Sequence, residues 1–313
     1  MKTAGAGVAI VGSGSAIPET TLTNEQLSQV VETSDEWIRT RTGIQERHLN
    51  TPGDTLSELA AKAGERALAM AKLQPEDLDL IILATSTPDD LFGSAAQVQG
   101  HLGATKAAAF DLTAACSGFV FGLVTGAQFI RTGAYRNVLL IGADVLSRWV
   151  DWSDRRTCVL FGDGAGAVVL QANDQQDDLV SFSLHSDGSL NHNLNLGFNG
   201  GGQTLTDEAR ADIGSYKTIS MNGREVYRFA AGRVPEVLKE TVDKSDYTMA
   251  DIDWLILHQA NQRIIDAVAQ RLDIPPERVI SNVAHYGNTS AASIPLALDE
   301  AVRAGQIQPG QLI

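Results

Sequence analysis

The chain has 313 residues, a formal net charge of -14 and a sequence pI near 4.8, so it is long enough for one large or two ordinary domains with an ample core. This acidity argues against nucleic acid or an anionic membrane as the main partner, and an acidic protein partner would need a local basic patch. Cys116 and Cys158 are the two cysteines and no run approaches the roughly 20 apolar residues of a membrane span, which fits a reducing cytoplasm and excludes a disulfide scaffold.

In chain order, the apolar run at 8–11 reads as a first strand, too short and too glycine-flanked for a signal-peptide core. An amphipathic helix is predicted over 56–72, followed by strands at 80–84 and 108–112. A long apolar helix over 117–131 leads to a strand at 138–143. Strands at 158–161 and 167–170 come next, with Cys158 a core residue of the first. The polar, Gly-rich stretch 173–214 reads as a connection plus surface loops. Helix 223–242, strand 254–257, helix 262–272 and helix 290–304 complete the pattern, an alternation that argues for α/β layers.

An internal repeat organises these elements. Pro75-Glu76-Asp77-Leu78-Asp79-Leu80-Ile81-Ile82-Leu83-Ala84-Thr85 resembles Met249-Ala250-Asp251-Ile252-Asp253-Trp254-Leu255-Ile256-Leu257-His258-Gln259 at an offset of 174, and the same offset carries Cys116 onto Ser290. Two copies of one α/β unit would set Cys116 and His258 at strand ends facing a shared cleft.

Three residues carry the chemistry. Cys116, in Thr113-Ala114-Ala115-Cys116-Ser117-Gly118, stands where a strand gives way to a helix, and the helix N-terminus favours thiolate over thiol. His258 ends an apolar strand, and Asn288 precedes a helix in Gly287-Asn288-Thr289-Ser290. One Cys, one His and one Asn in such contexts read as a covalent acyl-transfer site. Residue by residue, blander readings stand beside it: a small buried packing thiol, a structural histidine and an ordinary N-cap. Gly162-Asp163-Gly164-Ala165-Gly166-Ala167 lacks the Lys-Ser/Thr of a phosphate loop and reads as a tight turn between two strands. Gly12-Ser13-Gly14 lacks the third glycine of a dinucleotide fingerprint, and neither His-Glu-x-x-His nor Gly-x-Ser-x-Gly occurs, so no metal site and no serine hydrolase of that type is expected.

Thr33-Ser34-Asp35-Glu36-Trp37-Ile38, Thr40-Arg41-Thr42-Gly43-Ile44, Ala114-Ala115-Cys116-Ser117-Gly118-Phe119, Phe161-Gly162-Asp163-Gly164-Ala165-Gly166-Ala167, His258-Gln259-Ala260-Asn261 and Gly287-Asn288-Thr289-Ser290-Ala291-Ala292-Ser293 together resemble the β-ketoacyl-acyl-carrier-protein synthase III family over about 8–313. The resemblance implies a thiolase-like fold, two pseudo-symmetric α/β halves (1–172 and 173–313) in five αβαβα layers. It implies a cytoplasmic homodimer that needs no cofactor, taking acetyl-coenzyme A and a malonyl-loaded acyl carrier protein as substrates. Cys116 would become the acyl-enzyme, while His258 and Asn288 would hydrogen-bond the thioester oxygen as decarboxylation charges it. By the same resemblance, Trp37 and Arg155 would sandwich the adenine of coenzyme A, Arg41 would meet a phosphate, and Asn261 and Gly223 would meet the pantetheine. Phe92 would reach across the dimer and bound the acyl pocket. Gln259, Arg263, Arg228 and Arg271 would receive the carrier protein.

Two departures accompany this. Arg156 stands where a small residue often follows the arginine, with an expected effect on nucleotide contacts. The sequence stops at Ile313, where the family continues with an apolar strand and a Phe-Gly-x-Gly turn that supplies a second oxyanion donor, so reduced activity and stability are expected of the chain as given. The competing readings are a related initiating synthase of polyketide or specialised lipid assembly with another acyl starter, and an acyl- or carrier-binding protein without turnover.

Overall fold

The computed structural model describes residues 7–313. Its strands are β1 (Gly7–Ala16), β2 (Thr20–Thr23), β3 (Glu46–Leu49), β4 (Leu80–Ala84), β5 (Ala108–Leu112), β6 (Asn137–Asp144), β7 (Gly164–Asn173), β8 (Leu194–Asn195), β9 (Phe198–Thr204), β10 (Arg210–Tyr216), β11 (Ser220–Met221), β12 (Leu255–Ile256) and β13 (Val279–Ile280). Its helices are α1 (Asn24–Leu27), α2 (Asp35–Thr42), α3 (Leu56–Ala71), α4 (Ala95–Leu102), α5 (Gly118–Arg131), α6 (Gly223–Asp243), α7 (Gln262–Arg271), α8 (Val283–Tyr286) and α9 (Ser293–Arg303).

A five-stranded sheet in the order β1-β7-β6-β4-β5 forms the centre, parallel across β6-β4-β5 and antiparallel at β1-β7 and β7-β6. The strand period of two sorts its side chains to opposite faces. Ile81, Leu83, Leu139, Ile141 and Val169 pack under α3 and α4, whereas Leu80, Ile82, Val138, Leu140 and Val168 pack under α5 and α9. Beyond α9 lies the short parallel pair β12-β13, and Leu255 joins Ile265 and Val268 of α7 and Val234 and Leu238 of α6 in a third core cluster. Helix, sheet, helix, sheet, helix: these are the five layers of the thiolase-like arrangement.

Close backbone contacts hold the layers together. A Cβ at Gly12 or Gly14 would run into the Ala67 or Ala63 carbonyl of α3, so Gly12-Ser13-Gly14 continues β1 beneath that helix. At Gly142 of β6 a Cβ would meet the Ala291 carbonyl, so this glycine lets the segment before α9 rest on the sheet.

Three expectations are corrected. Residues 158–160 are a turn, and Phe161 forms a single bridge to Asn288. Cys158 is nevertheless fully buried in the core, as its apolar neighbours implied. Gly164 and Gly166 belong to β7, so the turn reduces to Gly162-Asp163. Within the stretch expected to be loops, β9 and β10 form an exposed hairpin paired from Phe198↔Tyr216 to Thr204↔Arg210.

Candidate active site

Cys116 lies in a 3-10 turn, Ala115–Ser117, that runs into α5. Ala115 just before it adopts φ 48°, a left-handed conformation that costs a non-glycine residue roughly 1 kcal/mol or more. The following helix is almost wholly apolar and packs on β4 and β6, which fixes where the turn points. A second 3-10 turn, Ser290–Ala292, packs against the first and leads into α9 in the same manner, with Ser290 at φ 51°.

Around this second turn the other two residues gather. The Asn288 backbone is clamped by the segment 160–162: its N–H donates to the Leu160 carbonyl at 2.8 Å, and its carbonyl accepts from the Gly162 N–H at 3.1 Å. Its side-chain Oδ1 accepts from the Ser290 N–H at 2.9 Å, which leaves the amide NH2 as the free, donating end. His258 follows β12, and its Nδ1 lies 2.7 Å from the Ser293 hydroxyl at the start of α9. Ser293 Oγ also accepts from the Gln259 N–H at 3.3 Å. With that lone pair used, the hydroxyl can donate to Nδ1 and leave the proton on Nε2.

Protonation differs from the sequence-based expectation. Burial, reinforced by the nearby Asp144 carboxylate, pushes the Cys116 thiol up to about 11 despite a hydrogen bond from Ser290, whereas helix position alone pointed to a thiolate. One residue, Ser117, stands between Cys116 and the first residue of α5. Burial likewise pulls His258 down to about 4. The unliganded site therefore holds a neutral thiol and a neutral imidazole.

Asp163 explains the Gly-Asp-Gly motif. It is fully buried, accepts from Ser147 N–H at 2.9 Å, Ser147 Oγ at 2.5 Å and Asn50 N–H at 2.8 Å, and its own N–H donates to the His48 carbonyl. These backbone donors are spent inside the protein, so the loop is a brace beneath Asn288 and cradles no phosphate. Among the described residues, no group of three or more His, Cys, Asp or Glu side chains could hold a metal ion, and no helix is long and apolar enough to cross a membrane.

The family models for 3-oxoacyl-[acyl-carrier-protein (ACP)] synthase III match residues 110–188 and, for its C-terminal region, residues 242–313. A beta-ketoacyl-[acyl-carrier-protein] synthase III of Microcystis aeruginosa is 65% identical over 309 residues, covering 99% of this chain and 93% of the relative. The chain belongs to this family. The crystal structure of the 3-oxoacyl-[acyl-carrier-protein] synthase III of Aquifex aeolicus superposes with a TM-score of 0.89 at 44% identity, over 97% of this chain and 94% of that one. A priming beta-ketosynthase of the R1128 polyketide biosynthetic pathway gives 0.87 at 30% identity, over 98% and 91%. As a member of the 3-oxoacyl-[acyl-carrier-protein] synthase III family, the chain is a condensing acyltransferase.

Trp37 of α2 has the Arg155 guanidinium 4.9 Å and that of Arg41 5.8 Å from its ring centroid, so the two arginines lie over the ring that was expected to stack on adenine. The Asn261 side chain caps α7 through the Arg263 N–H at 2.9 Å and donates to the Arg41 carbonyl at 3.1 Å, tying α7 to α2. Gly223 is exposed at the first residue of α6. Arg263 lies over Tyr227, Arg228 pairs with Glu225, and Arg271 donates to the Ala231 carbonyl; all three arginines are exposed on the packed pair α6 and α7. Arg156 is exposed and held by a bidentate contact to Asp154.

Gln259 is corrected. It is fully buried, donating to the Leu257 carbonyl at 2.8 Å and accepting from the Asn282 N–H at 3.0 Å, so it braces the His258 loop and cannot touch a carrier protein. Phe92 is fully exposed beside Leu91 in the loop that precedes α4. Sequence reasoning passed over Ser293, which orients His258, and Asp144, which closes β6 beside the site. The legible signal for Asp144 was an acidic residue ending an otherwise apolar strand, the same context that drew attention to His258. A cleft of about 570 Å³ runs along α7 past Gln262, Asp266, Gln270 and Pro276, away from the three central residues.

Proposed function

We propose that the protein joins the acetyl group of acetyl-coenzyme A to malonyl-acyl carrier protein, releasing coenzyme A and carbon dioxide and giving acetoacetyl-acyl carrier protein. The observation that carries this reading is the meeting of the Cys116 turn with the Ser290–Ala292 turn, which brings together a nucleophile and two neutral hydrogen-bond donors. In the first half-reaction Cys116 Sγ bonds to the acetyl carbonyl carbon and the bond to the coenzyme A sulphur breaks. The thiol proton goes to the departing coenzyme A thiolate, which leaves as the free thiol. In the second, the malonyl carboxylate leaves as carbon dioxide and its electron pair forms an enolate. That carbanion bonds to the acetyl carbon, the bond to Cys116 Sγ breaks, and the released thiolate takes up a proton from solvent.

His258 suits the enolate step because it is neutral and rests on a hydroxyl, with the Nε2 proton available to a developing oxyanion. The free amide end of Asn288 supplies a second donor. We assign Trp37, Arg41, Arg155, Asn261 and Gly223 to coenzyme A. Arg155 would lift from Trp37 to admit the adenine, since 4.9 Å leaves no room for a ring between them. Arg228, Arg263 and Arg271 form the basic face for the carrier protein, a local attraction within a chain of net charge -14. We assign a cytoplasmic homodimer, supported by the unpaired outer edge of β5 with Phe110 exposed and by Phe92 and Leu91 at a loop tip. We also divide the chain into halves at 172 and 173, supported by the recurrence of the 3-10 turn Pro75–Asp77 as Met249–Asp251.

The test is intact mass after mixing with acetyl-coenzyme A. An acetyl adduct on the parent protein and none on Cys116→Ala supports the reading. Absence from both, while a longer acyl-coenzyme A does label Cys116, would favour the second reading, a synthase primed by another starter. That reading has the R1128 priming ketosynthase as its structural counterpart. Failure of every acyl donor would leave an acyl- or carrier-binding protein.

A further inference from the structure

Arg47 of β3 is fully buried, and the three oxygens it donates to carry no charge. Nη1 reaches the Leu22 carbonyl at 3.1 Å and Asn24 Oδ1 at 2.9 Å, and Nη2 reaches the Val159 carbonyl at 2.8 Å. Its Nε–H has no acceptor. A guanidinium taken out of water with uncharged partners and one donor unused is costly, and an apolar side chain would fill the same space without that cost. What the guanidinium adds is a planar fork that fixes several acceptors in one geometry.

One arm of the fork leads to Asn288. Val159 begins the segment whose Leu160 carbonyl and Gly162 N–H clamp the Asn288 backbone. The arginine stem lies against the same crossing. A Cβ at Gly162 would run into the Tyr286 carbonyl and come 3.0 Å from Arg47 Cβ, and one at Gly287 would come 2.6 Å from the Leu160 carbonyl and 3.5 Å from Arg47 Cβ. The other arm leads to α2. Asn24, fully buried, accepts from Arg47 on Oδ1 and donates from Nδ2 to Asp35 Oδ1 at 2.9 Å and to the Ile44 carbonyl at 2.8 Å. Asp35 opens α2 and Ile44 lies just beyond its Gly43 cap, so one amide holds both ends of the helix that carries Trp37 and Arg41. We infer that Arg47 is a positioning residue that couples α2, the coenzyme A helix, to the oxyanion donor Asn288, so that seating the nucleotide end of the thioester also sets the amide that meets the reacting carbonyl. The inference rests on the roles proposed above for Asn288 and for α2.

Steady-state kinetics of Arg47→Lys, alone and combined with Asn288→Ala, provide the test. Lysine keeps the charge and most of the stem but has no fork. Arg47→Lys should lower kcat at least about tenfold and raise KM for acetyl-coenzyme A at least about threefold. Because the loss in kcat runs through Asn288, the double variant should turn over within about twofold of Asn288→Ala alone. A double variant slower than Asn288→Ala by the full factor lost in Arg47→Lys would overturn the inference, since a general loosening of the fold gives that additive result; parent-like kinetics of Arg47→Lys would overturn it as well. Should Arg47→Lys fail to fold, Asn24→Ser releases Asp35 and Ile44 and leaves the hold on Val159. KM for acetyl-coenzyme A should then rise at least about threefold, and by a larger factor than kcat falls, whereas a parent-like KM would overturn the coupling. The acetyl adduct on the parent and the slowing of Asn288→Ala test the underlying reading separately, so an additive double variant with both of those intact counts against the coupling alone.

Discussion

Ala115 and Ser290 hold the same left-handed backbone, φ 48° and 51°, each in a 3-10 turn that runs directly into a buried helix, yet one turn presents a thiol and the other presents none. The repeat that relates them keeps an offset of 174 between the 3-10 turns before the strands (75 to 249) but 175 between the two strained residues (115 to 290) and between the helix starts (118 to 293). One residue has therefore been gained between strand and turn in the second half. By backbone conformation the counterpart of Cys116 is Ala291, buried and holding Asp144, and the counterpart of Ser290 is Ala115. The first turn exposes its functional atom to the site; the second turns its polar groups back to brace the first.

The sharpest way to break the comparison is to move the thiol. Cys116→Ala should lower acetyl transfer by at least about 10³-fold. Adding Ala291→Cys to it should restore nothing, because that side chain is buried against β6; recovery of an acetyl adduct, read by intact mass, would mean that the turns are interchangeable. Next in size is the bracing side. Asn288→Ala should reduce kcat by about 100- to 1,000-fold, the usual cost of one oxyanion donor, with little change in KM for acetyl-coenzyme A in steady-state assays.

Gly142→Ala tests whether the second turn must rest directly on β6. A methyl group there meets the Ala291 carbonyl, so we expect about 1–3 kcal/mol of destabilisation by chemical denaturation, and parent-like stability would show that the turn can shift freely.

Protonation sharpens the contrast further. His258 titrates at about 4 in the fold against 6.5 for an unperturbed histidine, so its contribution to stability is present above about pH 6.5 and is lost as pH falls through 4. Cys116, raised from 9.0 to about 11, contributes below pH 9 and loses that contribution as pH rises through 11. Denaturation midpoints of His258→Gln and Cys116→Ala beside the parent, across pH 4–11, should converge towards the parent at the acid and alkaline ends respectively; parallel curves would contradict both shifts. The smallest effect is local: Ala115→Gly should relieve left-handed strain and stabilise by at most about 1 kcal/mol, seen as a Tm rise of a few degrees at most.

Much of this is legible in the residues alone. The apolar runs at 80–84 and 138–143 give strands buried on both faces, and the apolar run after Cys116 gives a central helix, because these patterns depend on residues adjacent in the chain. Cys116, His258 and Asn288 stand out for the same local reason, each at the edge of a predictable element. The segment 158–161 reads wrongly as a strand because its apolar side chains are buried by neighbours from α2 and α7 and not by strand pairing. Gln259 looks available beside His258 but turns inward, since its partners at 257, 280 and 282 are assembled only by the β12-β13 pair and the loop after it.

The sequence by itself determined the layered α/β fold, the family and the identity of the three central side chains, all written in local periodicity and short motifs. Tertiary structure alone decided their protonation. A helix N-terminus at Cys116 argues for a thiolate, but ionisation responds to the whole surroundings: above all the desolvation imposed by the two packed turns, with Asp144 nearby. Those groups are distant in sequence and adjacent only in the folded chain, so no reading of the residues one after another could have summed them.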